Sequence, residues 1–400
     1  MTATDPWHRA LADLLSRSHR LPPDELPGAL DAALRPLGAT ATIYLVDVEQ
    51  CDLRPLAVPG RPPPDPLSID ASLAGRAFTQ VEVHATQGPP PRLWVPVIDG
   101  TDRLGLLEVA PPPGADLADA ALRDGCRLIA GSIGHLVASK SAYGDALLQS
   151  RRSRPMEVSA ELLWQILPPL TFATPDTAVS AVLEPAYAVG GDAFDYAFGA
   201  GRVAFSILDG VGRGLPAVLT TSVALAALRA TRRAGGDLRD AAEAVDAAIT
   251  GQWQDARFVT AVLGEFDTRT GELRYLNAGH PAPLLLRGGR AVGTLDGGRR
   301  LPLGLPADGV EVGRTRLEPD DRLLLHTDGM TEARNAAGEL FGLARLADLA
   351  ERHIAAGLPS PETLRRLSHA VAEHQAGPLR DDATLVLLEW SRQASARMEP

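Results

Sequence analysis

The sequence predicts an α+β chain whose paired antiparallel sheets carry helices on their outer faces, behind a small α/β domain and a helical linker. Three observations point there. After Thr174, seven apolar strand-like runs (TAVSAVLEPA, RVAFSILD, RFVTAVLGEFD, ELRYLNAG, APLLLRGG, DRLLLHTDG and ATLVLLEW) are separated by polar turns. Two of those turns, DTRTGE at 267–272 and RGGR at 287–290, are short enough to demand antiparallel neighbours. Helical segments at 215–233, 238–250, 341–356 and 361–376 fall between the strands, as in layered α+β domains.

Element by element, residues 9–20 and 24–35 read as short amphipathic helices parted by Pro22 and Pro23. ATIYLVDVEQCDLRPLAV alternates like strands, and IDASLAGRAF (69–78) reads as a helix after a turn. In RLWVPVIDGTDRLGLLEVA two apolar strands flank DGTDR, a hairpin turn. From Asp116 to about Gln149, apolar residues recur at helical spacing (Leu117, Ala121, Leu122, Leu128, Ile129, Ile133, Leu136, Val137, Tyr143, Leu147), predicting one long helix. Its stripe is either a dimer seam or the inner face of its own domain. RRSRP (151–155) punctuates the chain, and AELLWQILPPL forms one more short helix. The expected organisation is a regulatory domain at 1–138, a helical linker at 139–174, a C-terminal domain at 175–392 and a tail at 393–400.

Composition excludes several functions. A net charge of -11 argues against nucleic acid and against anionic membrane surfaces as partners. No apolar run reaches the roughly 18 residues that cross a bilayer, and the N-terminus lacks a signal pattern, so the expected location is cytoplasmic. Cys51 and Cys126 offer neither a disulfide framework nor zinc spacing. Lys140, the only lysine, has no glycine-rich loop before it, which removes P-loop, kinase and Schiff-base chemistry. The glycines of LDGVGRGL follow a strand and precede a helix, as in dinucleotide folds. The third glycine of that fingerprint would stand where the chain has Leu215, and the antiparallel setting is wrong for it.

Four aspartates share one setting, the edge of an apolar strand beside glycine or another aspartate: Asp192 (VGGDAFD), Asp209 (SILDGVG), Asp328 (LLLHTDGM) and Asp381 (LRDDATLVLLEW). Each alone reads sooner as a solvated turn or cap residue than as a metal ligand. Four together make a carboxylate cluster whose mutual repulsion calls for divalent cations, and hard oxygen ligands select Mg2+ or Mn2+.

VGGDAFD, LDGVGRGLPAVL, LNAGHPAPLLL, LLLHTDGMTEARNAAGELFG and DDATLVLL occur in the order seen in SpoIIE-type phosphatases, the bacterial branch of the type-2C (PPM) metal-dependent Ser/Thr phosphatases. Residues 175–392 resemble that family, PMEVSAELLWQILPPLTF resembles its entry helix, and SLAGRAF with RLWVPVIDGTDRLGLLEV resembles parts of a GAF sensor domain. The resemblance implies an α-β-β-α sandwich holding two Mn2+ or Mg2+ ions. By the motifs, Asp209 bridges both metals with the Gly210 carbonyl as a further ligand. Asp328 and Asp381 complete one shell, and Asp192 binds directly or through water on the other side. Asp382 is assigned a structural part. The implied reaction is attack on phosphorus by hydroxide that the metals activate, with no phosphoenzyme. The implied substrate is a phosphorylated anti-sigma-factor antagonist; the helical stripe, read as a seam, adds an expected homodimer through the linker helix. The alternative is an inactive type-2C-like binding module. Val211 stands where eukaryotic relatives have a histidine after the Asp-Gly pair, which leaves the general acid unassigned. His280 is a candidate for it, with a turn-capping role as the favoured reading. Arg213 is a candidate for the substrate phosphate, with a solvated loop arginine as its alternative.

Overall fold

A computed structural model describes residues 5–400 except 59, 87, 189, 308, 376–378 and 380. The chain divides into two compact units, Met1–Arg154 with Ala396–Pro400, and Pro155–Ser395.

The first unit contains α1 (Pro6–Ser18), α2 (Leu26–Leu34), β1 (Thr40–Val46), β2 (Asp52–Pro55), β3 (Leu67–Ser68), α3 (Leu73–Gln80), β4 (His84–Thr86), β5 (Arg92–Asp99), β6 (Asp102–Ala110), α4 (Ala120–Lys140) and α5 (Ala146–Ser150). Its strands form one sheet in the order β3-β2-β1-β6-β5-β4. The expected hairpin is β5–β6, and Ser72 caps α3 by accepting from the Gly75 amide. One sheet face packs Ile43, Leu45, Val95 and Leu107 on α1, α2 and α4, while the other packs Tyr44, Val46 and Leu106 on α3.

The single helix expected from Asp116 to Gln149 is broken. α4 stops at Lys140, and Gly144 then takes an extended conformation (φ 171) that no helix continues through. Its stripe is spent within the unit: Leu122, Ile129, Ile133, Leu136, Val137 and Leu147 are buried in one core, and Ala121, Leu128 and Tyr143 stay exposed. Most of the stripe thus serves the inner face of its own unit. Residues 139–174 contribute to both cores. α5 joins the first core through Leu147, and α6 (Val158–Ile166) joins the second through Ala160 and Leu163.

The second unit continues with β7 (Thr171–Ala173), β8 (Thr177–Glu184), β9 (Asp192–Gly199), β10 (Arg202–Gly210), α7 (Leu215–Arg233), α8 (Leu238–Gln252), β11 (Val259–Asp267) and β12 (Glu272–Ala278). It ends with β13 (Leu284–Arg287), β14 (Arg290–Thr294), β15 (Arg299–Arg300), β16 (Gly313–Arg316), β17 (Arg322–His326), α9 (Asp328–Glu332), α10 (Leu343–Ala355), α11 (Ser360–Gln375) and β18 (Ala383–Trp390). One sheet runs β15-β12-β11-β10-β9 with β16 beside β12, and the other runs β14-β13-β17-β18-β8-β7. The pairings are antiparallel apart from the two-residue contact of β12 with β15.

Strand alternation decides the layering. In β10, Val203, Phe205 and Ile207 point inward to meet Val179, Leu323, Leu325 and Val386 of the opposite sheet. Leu208 points outward to a core shared with Val218, Leu225 and Val245 of α7 and α8. On the opposite sheet Leu324, Leu385 and Leu387 face Leu346 of α10 and Leu364 and Leu367 of α11. The result is an α-β-β-α sandwich.

Candidate metal centre

The antiparallel ladders carry all four aspartates to one end of the sandwich. Asp192 opens β9 and lies directly opposite Asp209, the penultimate residue of β10. Across the interior, β17 and β18 pair His326 with Leu385, so Asp328, just past the first, and Asp381, just before the second, share an end. Two bridges tie the sheets together there. The Thr327 hydroxyl donates to the Asp192 carboxylate at 2.8 Å. The Asp382 carboxylate accepts from the amides of Gly190, Gly191 and Asp192 at 2.6, 2.5 and 3.0 Å. Gly329 packs its α-carbon so closely on the Asp382 carbonyl that a β-carbon would overlap it. Gly191 has the same role against Gly210, whose carbonyl oxygen would lie 2.6 Å from an added β-carbon.

The electrostatics are those of like charges held together. Burial, then the charges of Asp328, Asp381 and Asp382, push the Asp209 carboxyl up to about 7. Burial, then Asp382 and Asp209, raise Asp192 well above the carboxylate range. Asp328 is raised by burial, Asp381 and Glu332. Asp382 is raised by burial, against which its three amide donors act. The charges that shift Asp209 are all negative, the setting in which a divalent cation would hold it ionised.

An all-oxygen donor set of this kind fits a hard divalent ion. Among the described residues, no three His, Cys, Asp or Glu side chains are already gathered around one point. Mg2+ and its analogues keep several waters, so few direct protein ligands are needed. Asp209, Asp328, Asp381 and the Gly210 carbonyl are the groups that would hold one, with Asp192 on the opposite side.

A pH signature follows. Between the ordinary carboxylate range near 4 and about 7, the folded chain keeps a proton on Asp209 that the unfolded chain has lost. The Asp209 contribution to metal-free stability is thus fully present below that window and falls as pH rises through it. The buried, neutral His280 and His326 act in the opposite direction below about pH 6.5, so the melting temperature without metal should drop between about pH 6.5 and about pH 8, and Mn2+ should raise it most at the upper end, where no proton competes. A metal-free melting temperature that stays level across this range would count against the cluster.

His280 does not suit the general-acid role. It is 3% exposed, burial drives its pKa down to about 3, and it is neutral at working pH. Its Nδ1 pairs with the Thr260 hydroxyl at 2.8 Å, and its amide donates to the Asn277 side chain. Thr260 lies opposite Asp209 in the ladder, so His280 buttresses the neighbouring strand. Val211 donates its amide to the Phe258 carbonyl. Arg213 is exposed and has no hydrogen bond or ion pair among the described residues.

Sequence reasoning missed the threonines: Thr327 on Asp192, Thr260 under His280, and Thr221, whose hydroxyl donates to the Gly191 carbonyl at 2.6 Å. The one available signal was a threonine directly before Asp328, just past the leucine run Leu323–Leu325.

Residues 199–391 match the family described as Stage II sporulation protein E (SpoIIE). They are a SpoIIE-family domain. The SpoIIE domain takes in β10, β17 and β18 with Asp209, Asp328 and Asp381, while Asp192 lies just ahead of the matched residues. Among curated relatives, the chain is similar to Protein IcfG of Synechocystis, 28% identical over 142 residues, covering 33% of this chain and 20% of the relative. It is also similar to the phosphoserine phosphatase RsbU of Bacillus subtilis, 24% identical over 212 residues, covering 52% of this chain and 62% of the relative. The chain therefore spans less than two thirds of either. Of solved structures, it is similar to the RsbU and RsbW domains of Rv1364c from Mycobacterium tuberculosis (30% identity, 54% of this chain, 62% of that one, TM-score 0.47). It is likewise similar to the SiaA-PP2C domain of Pseudomonas aeruginosa (27% identity, 53% of this chain, 85% of that one, TM-score 0.47). No helix among the described residues is long and apolar enough to cross a membrane.

Proposed function

We propose that the chain is a metal-dependent phosphatase acting on phosphoserine or phosphothreonine of a regulatory protein of the anti-sigma-factor-antagonist type. The observation that carries this reading is the convergence of Asp209, Asp328 and Asp381 at one end of the sandwich, with the Asp209 carboxyl pushed up to about 7 by burial and neighbouring carboxylates. Membership of residues 199–391 in the SpoIIE family supports the reaction class, and similarity to a phosphoserine phosphatase supports the substrate class.

Divalent cations in such a cluster supply hydroxide near neutral pH and clamp the phosphoryl oxygens. The chain's own work is positional. Thr327 orients Asp192, and Asp382 clamps the Gly190–Asp192 backbone so that Asp192 faces Asp209 across the ladder. His280, neutral and buried, fixes the strand beside Asp209 and transfers no proton.

The N-terminal unit, a six-stranded antiparallel sheet with helices on both faces, is read as a GAF-like regulatory domain. An open cavity of about 660 Å3 beside Arg54, Leu56, Pro64 and Gln149 is large enough for a small ligand.

The full chain with Mn2+ should hydrolyse p-nitrophenyl phosphate and a phosphoserine peptide, and a chelator should stop both. Absence of turnover on both substrates, with calorimetry showing metal bound, would sink the proposal. The competing reading is a non-catalytic module that keeps the fold and binds no metal. Failure of the wild-type chain to bind Mn2+ at all would decide for that module.

A further inference from the structure

The loop and helix that follow Asp209 expose an apolar strip that the reaction itself does not need. Val211, Leu215 and Leu219 are 39%, 40% and 44% exposed, one every four residues from the loop into the first turns of α7. Leu215 and Leu219 share a helix face by that spacing, and Ala226 and Ala230 carry the same exposed side further along. The opposite side of α7 is already committed, with Val218, Leu225 and Leu228 buried in the core. A helix that only met water on its outer side would carry polar residues there. Between Val211 and Leu215 stands Arg213, an exposed guanidinium without a partner among the described residues.

We propose that Val211, Leu215 and Leu219 are the docking strip for the substrate, a peptide segment whose phosphoserine or phosphothreonine is flanked by apolar side chains. This rests on the phosphatase reading above. Two features select that occupant over a second copy of the chain. The strip begins at the residue after Gly210, so whatever lies on it reaches the carboxylate cluster. Arg213 offers positive charge to a dianionic phosphate, whereas a symmetric contact through the strip would bring two Arg213 side chains toward each other in a chain of net charge -11.

The test uses the full chain with Mn2+ and three substrates: p-nitrophenyl phosphate, a short phosphoserine peptide flanked by leucines, and the same peptide flanked by serines. The wild type should prefer the leucine peptide in kcat/KM by about tenfold, the return for partly burying one leucine. The double variant Leu215→Ser/Leu219→Ser should lose that preference, and its metal-free melting temperature checks that it is folded. Equal use of both peptides by the wild type overturns the inference, and so does a preference that survives in the double variant. A change of oligomeric state in the double variant assigns the strip to a second copy and also overturns it. Failure on all three substrates overturns the phosphatase reading first.

Discussion

Asp209→Asn should lose turnover on p-nitrophenyl phosphate while the metal-free protein melts at a higher temperature than wild type. Loss of a residue that only orients a metal ligand costs about 10–100-fold, so loss of a carboxylate that would itself hold the metal should exceed about 100-fold. The stability arm has the opposite sign because Asp209 is half-buried beside Asp328, Asp381 and Asp382, which disfavour its charge. A neutral amide of the same shape removes that repulsion without opening a cavity. The gain should be largest above about pH 7, where wild-type Asp209 is ionised. Thermal unfolding in chelator, paired with a Mn2+ assay, reads both arms. Turnover near the wild-type rate would remove Asp209 from the metal centre, and a lower metal-free melting temperature would remove it from a repelling cluster.

Asp382→Ala should fail differently, losing stability and turnover together. Its carboxylate accepts from the amides of Gly190, Gly191 and Asp192, which lose that acceptor once it is gone. Leaving a buried donor unsatisfied costs about 1–3 kcal/mol. Three such donors outweigh the relief of removing one buried charge, and the net loss should be about 2–4 kcal/mol. Turnover falls as well, because the freed backbone includes Asp192, which faces Asp209 across the ladder. Asp382→Asn should recover part of the stability, since its amide oxygen still accepts while its NH2 group opposes the same donors. Urea unfolding checks the ranking. An Asp382→Ala chain as stable as wild type would show that the clamp carries no weight.

The contrast between neighbours Asp381 and Asp382 marks where the sequence stopped being informative. Both sit in the same DDATLVLL motif. That Asp382 is structural could be suspected, but its partners lie about 190 positions away in the chain, beyond any local pattern. The threonines were invisible for the same reason. Thr260 and Thr327 look like ordinary β-branched strand residues until a sheet pairing or an opposing sheet supplies the partner. The apolar stripe of residues 117–147 shows the converse failure, since helical periodicity states that a face is buried and not what buries it.

By itself the sequence determined the layered α+β architecture, because alternation of period two and tight polar turns leave apolar strands few arrangements. It also determined which aspartates end strands beside glycine, since that is a local property. Only the tertiary structure decided that Asp192, Asp209, Asp328 and Asp381 share one end of one sandwich, which follows from strand order and register. It alone decided that His280 is buried and neutral, because desolvation depends on neighbours from distant segments. It alone left Leu215 and Leu219 in solvent, because which side of an apolar helix faces the core depends on what packs against it.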